Sequence, residues 1–291
     1  MAAVAEWGFR SGDHVSGDHV PTRIIEASSG WAPLKLRELW RYRELLYFLI
    51  WRDVKVRYKQ TALGGAWAIL QPVATMLVFS IIFGYLARVP SDGVPYPIFT
   101  YAALLPWQLF AHALTESGNS LVMNQQLLKK VYFPRLLIPI AAALAGLVDV
   151  GCAVLVLVGM MLYYGIALTP ALLLLPLFVL LSVAAAIAVG LWLAALNVQY
   201  RDVRYTLPFL TQLWFFATPV AYSSTLIPEP WRVWFGLNPM AGIVDGFRWA
   251  LLGTSAGGAM LTLTSLLVVV VLLIGGVFYF RRMERSFADL V

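Results

Sequence analysis

Long apolar runs separated by short polar stretches dominate the chain. Six of them, at residues 61–87, 98–122, 136–164, 171–198, 205–222 and 260–280, approach or exceed the ~20 residues that a helix needs to cross a hydrocarbon layer. The pattern predicts an all-α integral membrane protein with six transmembrane helices. Ahead of the first run, Leu36, Leu39, Trp40, Leu46, Tyr47 and Ile50 recur at near-helical spacing, with Lys35, Arg37, Glu38, Arg41 and Glu44 between them. That spacing predicts an N-terminal amphipathic helix lying at the membrane interface; a solvated helix with a basic face would read in the same way. The organisation expected is therefore a disordered cytoplasmic tail over 1–30, the interface helix over 31–60 and a six-span domain over 61–291.

The segment between the fifth and sixth runs breaks the rule that a connecting loop is polar. Trp231, Trp234, Phe235, Phe247 and Trp249 crowd it. Asn238 followed by Pro239 reads as a helix cap and a first helical residue, and the stretch from 240 to 252 is too short to span. Short re-entrant or interfacial helices are expected between spans five and six.

Composition removes the soluble alternatives. Hydrophobic residues make up 60% of the chain and charged residues only 12%, against about half and a quarter in an ordinary soluble domain. The net charge of +6 does not point to nucleic acid, because the basic residues flank the spans. Of the 21 Lys and Arg, only Arg88, Arg232 and Arg248 fall on the side opposite the termini, so the positive-inside bias places both ends of a multi-pass membrane protein in the cytoplasm. The first 30 residues are charged and lack an apolar core, so no secretory leader is expected. The repeated SGDHV of that tail sets His14 and His19 beside aspartates, but a duplicated polar tail explains it better than a metal site. Cys152, the single cysteine, excludes an intrachain disulfide.

Candidate chemistry is confined to a few positions. No lysine follows a glycine, so the chain carries no phosphate-binding loop of its own. If ATP drives it, a partner binds the nucleotide. Asp149 lies within the third run, where a carboxylate either lines a path or hydrogen-bonds a neighbouring helix; the sequence does not name its partner. His112, Glu116 and Asn119, extended by Ser120, share one helical face of the second run and fit interhelical bonding or a translocation path. Trp107 and Trp214 belong to an aromatic population that serves as packing or, in part, as flat surfaces for sugar rings. The turn Asn124–Phe133, with Gln125, Gln126, Leu127, Leu128, Lys129, Lys130 and Tyr132, fits a short helix pressed on a partner or a solvated loop. Two other classes compete. An ion-coupled secondary transporter would use Asp149, Glu116 or His112, and a membrane-embedded glycosyltransferase would need clustered acids or histidines that are missing. No catalytic residue is assigned.

The stretch WRDVKVRYKQTALGGAWAILQP, residues 51–72, carries Arg52, Asp53, Lys55, Arg57, Tyr58, Thr61, Leu63, Gly64, Trp67 and Pro72. It resembles the opening signature of the polysaccharide-export branch of type 2 ABC transporter permeases, which export O-antigen, capsule or teichoic acid. VYFPRLLIP at 131–139, NVQYRDVRY at 197–205 and WFGLNPM at 234–240 extend the resemblance. It implies a homodimer bound to two ATPase subunits that hold ATP and Mg, with no cofactor on this chain, moving a lipid-linked polysaccharide through a lipid membrane. It further implies that Asn124–Phe133 is the coupling helix and that the interface helix, with Arg41, Arg52, Asp53, Lys55 and Arg57, also touches the ATPase. The region of Trp231, Trp234, Asn238 and Trp249 would stand near the channel exit.

Overall fold

A computed structural model describes residues 40–59, 64–167, 169–254 and 258–284. The duplicated SGDHV tail, the basic residues Lys35 and Arg37, and Thr61 and Leu63 of the signature lie outside them. Every regular element among the described residues is helical. We number the α-helices α1 Arg43–Lys59, α2 Trp67–Phe79, α3 Tyr96–Met123, α4 Gln125–Lys130, α5 Leu137–Ala145, α6 Leu147–Tyr164, α7 Leu175–Gln199, α8 Val203–Ala217, α9 Glu229–Phe235, α10 Pro239–Leu252 and α11 Ala259–Glu284.

Among the described residues, four helical stretches are long and apolar enough to cross a membrane: Trp67–Leu86, Leu137–Tyr164, Pro170–Gln199 and Ala259–Glu284. They coincide with the first, third, fourth and sixth expected runs. The second run is the 28-residue α3, about 42 Å long at 1.5 Å per residue, whose polar stripe dilutes its apolar character. The fifth run departs from expectation, because α8 is a 15-residue helix that stops at Ala217 rather than continuing to 222. Thr218 is extended, with φ −104° and ψ 140°, because the ring of Pro219 disfavours the helical conformation in the residue before it.

Helix α3 is the central element. It packs on α7, α5, α10, α2, α6 and α8, which is why its apolar residues from Ile98 to Leu121 are buried almost without interruption. Small residues allow the closest of these approaches: a Cβ on Gly190 of α7 would stand 2.8 Å from the Cβ of Ser117 on α3. Asn197 of α7 then donates to Gly118 O at 2.9 Å and to Asn119 Oδ1 at 3.1 Å.

The expected third span is interrupted at Gly146, which separates α5 from α6. A Cβ there would sit 3.3 Å from the His112 ring and 3.4 Å from Leu109, so the absent side chain is what admits α3. A second apolar cluster joins Leu49 of α1 to Leu121, Phe133, Leu137, Leu191 and Phe280. Arg135 closes the same end, donating through Nη1 to Glu284 O at 2.8 Å.

Candidate functional site

A cleft of about 540 Å³ opens between the end of α1, the start of α2, the middle of α3 and the start of α6. Its apolar lining includes Trp67, Pro72, Leu104, Trp107 and Phe215, and its polar lining Arg57, Tyr58, Gln71, Thr75, Gln108, His112, Thr115 and Asp149. The mixture has a simple origin on α3. Gln108, His112 and Thr115 recur four and three residues apart on one face, and Trp107 stands beside them.

Asp149 occupies the first turn of α6, where a carboxylate meets the positive end of the helix dipole. The structure supplies the partner that the sequence left unnamed. Arg57 Nη1 lies 2.6 Å from Asp149 Oδ2, and the Tyr58 hydroxyl donates to Oδ1. Burial first, and then the bond to Asp149, hold the Tyr58 phenol well above the usual tyrosine range, so it remains a donor. The two side chains of the ion pair retain 25% and 29% exposure, so the chain does not fully enclose the contact. On the same helix, Arg52 pairs with its neighbour Asp53 at 2.7 Å, and Lys55 is exposed.

The predicted polar stripe divides. His112 faces the cleft, and its Nε2 is buried without a hydrogen-bond partner among the described residues. Glu116 is half-buried one turn on. Asn119 is committed to packing: it donates to Thr115 O at 3.0 Å and accepts from Asn197. The two tryptophans assigned to a path also divide. Trp107 lines the cleft and is 5% exposed, whereas Trp214 donates to Asn238 Oδ1 at 2.8 Å and packs edge-on against Phe110.

Asn238 is the cap expected of it, accepting from Met240 N at 3.0 Å, with Pro239 opening α10. Its amide also donates to Ala217 O and Thr218 Oγ1, each at 3.0 Å, and thereby holds the end of α8. Trp231 and Trp234 on α9 are exposed, as is Trp249 to a lesser degree.

In the turn 124–133, Gln125–Lys130 is a single short helix, α4. Gln126, Lys129, Lys130 and Tyr132 are exposed and Asn124 and Gln125 half-buried, while Leu127 and Leu128 pack against the cluster around Leu49. The leucines read from sequence as the contact surface therefore serve the chain's own interior at least in part. Arg41, beside exposed Trp40, is also exposed.

Sequence reasoning missed the most demanding buried charge. Arg248 of α10 is 2% exposed and donates to Phe99 O at 3.1 Å, Val220 O at 2.6 Å and Tyr222 O at 3.3 Å, with its guanidinium 3.6 Å from the Phe99 ring centre. Nearby, Asp245 accepts from Ser224, Asp92 accepts from Ser223 and Thr225, and the Tyr96 hydroxyl donates to Ala221 O. Side chains thus satisfy the backbone that the break at Pro219 takes out of the helix. An isolated arginine amid apolar residues was the available signal, but its acceptors are backbone atoms, which no side-chain pattern reveals. Gln71, Gln108 and Thr115 were likewise overlooked, although the four-and-three spacing around His112 marks two of them.

Residues 44–252 match the family described as ABC-2 type transporter. The chain is 33% identical over 216 residues to the O-antigen export system permease protein RfbA of Myxococcus xanthus, covering 73% of this chain and 82% of that one. It is 31% identical over 208 residues to the protein of that name from Klebsiella pneumoniae, covering 70% and 79%. To the polysialic acid transport protein KpsM of Escherichia coli it is 26% identical over 210 residues, covering 70% and 80%. With a match of that extent, and helices of the length and apolarity described above, the chain belongs to the ABC-2 type transporter family.

Proposed function

We propose that this chain is the membrane-spanning permease subunit of an ATP-driven exporter that moves lipid-linked polysaccharide across the inner membrane. The observation that carries the reading is the similarity over 216 residues to a permease named for O-antigen export. Relatives named for O-antigen and for polysialic acid both cover about 80% of their own length, which supports the glycan class rather than one sugar. A cleft that sets tryptophan and phenylalanine faces beside amides, a histidine and a carboxylate suits the hydroxyls and apolar faces of sugar rings.

In this reading α3 and α8 complete six crossings with the four apolar stretches, the second by length and the fifth together with the pinned residues that follow it. The lysine and arginine bias keeps both termini in the cytoplasm. Helix α4 and the exposed face of α1 meet two ATPase subunits, which hold ATP and Mg, and a second copy of the chain completes the path. The exposed Tyr47, Phe48 and Trp51 of α1 suit burial in a lipid interface. Of the groups that the ion-coupled alternative would use, Asp149, Glu116 or His112, the first is engaged by Arg57 and Tyr58.

Gentle solubilisation followed by mass spectrometry tests the reading. An ATP-binding subunit at parity with the chain, together with glycan retained in the cytoplasm on deletion, is the expected result. Export that continues through ATP depletion and stops on collapse of the ion gradient overturns it.

A further inference from the structure

The contact between α1 and α6 spans 92 residues of sequence and joins two elements that otherwise meet through different partners. Helix α1 packs along α5, and α6 packs on α2 and α3. The last turn of α1 reaches α6 through Arg57 and Tyr58, and both residues are also walls of the cleft. A displacement of α1 along α5 must therefore either drag the start of α6 or break the contact.

We propose that Arg57, Tyr58 and Asp149 form a releasable joint through which movement of α1 reaches the cleft. Three features support it. Asp149 is the single ionisable carboxylate of α6, and a carboxylate without a partner on so apolar a helix is unfavourable, so the contact is strongly preferred while the elements stand as described. The chain leaves both members partly exposed, so the pair can part without unpacking a core, unlike a fully enclosed pair. The helix is interrupted at Gly146, three residues before Asp149 and against the His112 ring, so a pull on Asp149 acts first on the start of α6 and on the His112 wall. The assignment of α1 as the element that a partner moves rests on the proposed function; the joint itself does not.

The chain's only cysteine gives the readout. Cys152 lies one turn beyond Asp149 and close enough to Tyr58 to bear electrostatically on its phenol. In membrane vesicles holding the transporter, the labelling rate of Cys152 with a membrane-permeant maleimide is measured with and without a non-hydrolysable ATP analogue, beside glycan export and ATP hydrolysis. For Arg57→Gln and Asp149→Asn, labelling without nucleotide is expected to rise about tenfold, the response to nucleotide to disappear, and export to fall by a similar factor while ATP hydrolysis persists. Tyr58→Phe, which keeps the ring, should give a smaller change in the same direction. Exchange of the charges, Arg57→Asp with Asp149→Arg, should recover most of the labelling behaviour and of the export, which shows that the single variants did not merely misfold.

Wild-type labelling and export in Arg57→Gln, or an exchange variant no better than the single ones, overturns the joint. If labelling without nucleotide rises in the single variants and is restored in the exchange variant while no glycan is exported and no ATPase is present, the joint stands and the exporter reading fails.

Discussion

At the scale of single residues, the costly groups are the ones that hold irregular backbone. Arg248 donates to three carbonyl oxygens in a site with 2% exposure, and each buried acceptor left without a donor costs about 1–3 kcal/mol. Arg248→Met should therefore destabilise the protein by roughly 3 kcal/mol or more, read as a lower midpoint of thermal unfolding in detergent. Arg248→Lys, a point charge that cannot reach three carbonyls at once, should recover only a minority of the loss. Asn238→Ala removes a helix cap, worth about 1 kcal/mol, and also frees Trp214 Nε1 and Ala217 O. Its loss of stability should exceed that of Trp214→Phe, which removes one of these bonds, and the two substitutions should not add.

At the scale of elements, α4 separates surface from support. Leu127 and Leu128 pack inward, and Lys129, Lys130 and Tyr132 face outward. Changing both leucines to Asp places charges against Leu49 and Phe133 and should lower the amount of folded protein recovered from membranes. Changing Lys129, Lys130 and Tyr132 to Ala should leave that amount unchanged while reducing co-purification of the ATPase several-fold. Undiminished co-purification in the triple variant would move the docking surface away from α4. The junction between α5 and α6 makes a second demand. Gly146→Val adds a branched side chain where a single Cβ already meets His112 and Leu109 at 3.3 and 3.4 Å. It should cost about 1–3 kcal/mol through overpacking, measurable by the same thermal unfolding.

At the scale of the whole molecule, the prediction concerns sidedness. Cysteines placed at Lys130 and at Arg201, in a background lacking Cys152, should react with an impermeant maleimide only after the membrane is opened. One at exposed Trp234 on α9 should react in intact cells whose outer layers admit the reagent. The reverse pattern would invert the orientation read from the basic residues.

What the sequence determined by itself follows from rules that are local. Apolar runs of spanning length, the Asn238–Pro239 cap and the helical character throughout depend on periodicity and on neighbours a few positions away, so they were legible, as was the signature that placed the chain in its family. The end of α8 at Thr218 was equally local, since Pro219 dictates it, but the apolar residues that follow concealed it in a count of hydrophobic positions. Tertiary structure alone decided which polar groups meet. Arg57 and Tyr58 reach Asp149 across more than 90 residues, Arg248 is answered by backbone carbonyls that carry no side-chain signal, and His112 and Asn119, alike on one helical face, are drawn to a cleft and to α7 respectively. For the bonded groups among them the physical reason is shared: in an apolar surrounding a polar group is driven to satisfy its bonding wherever the fold brings a complement, and proximity in space is not a property of spacing along the chain.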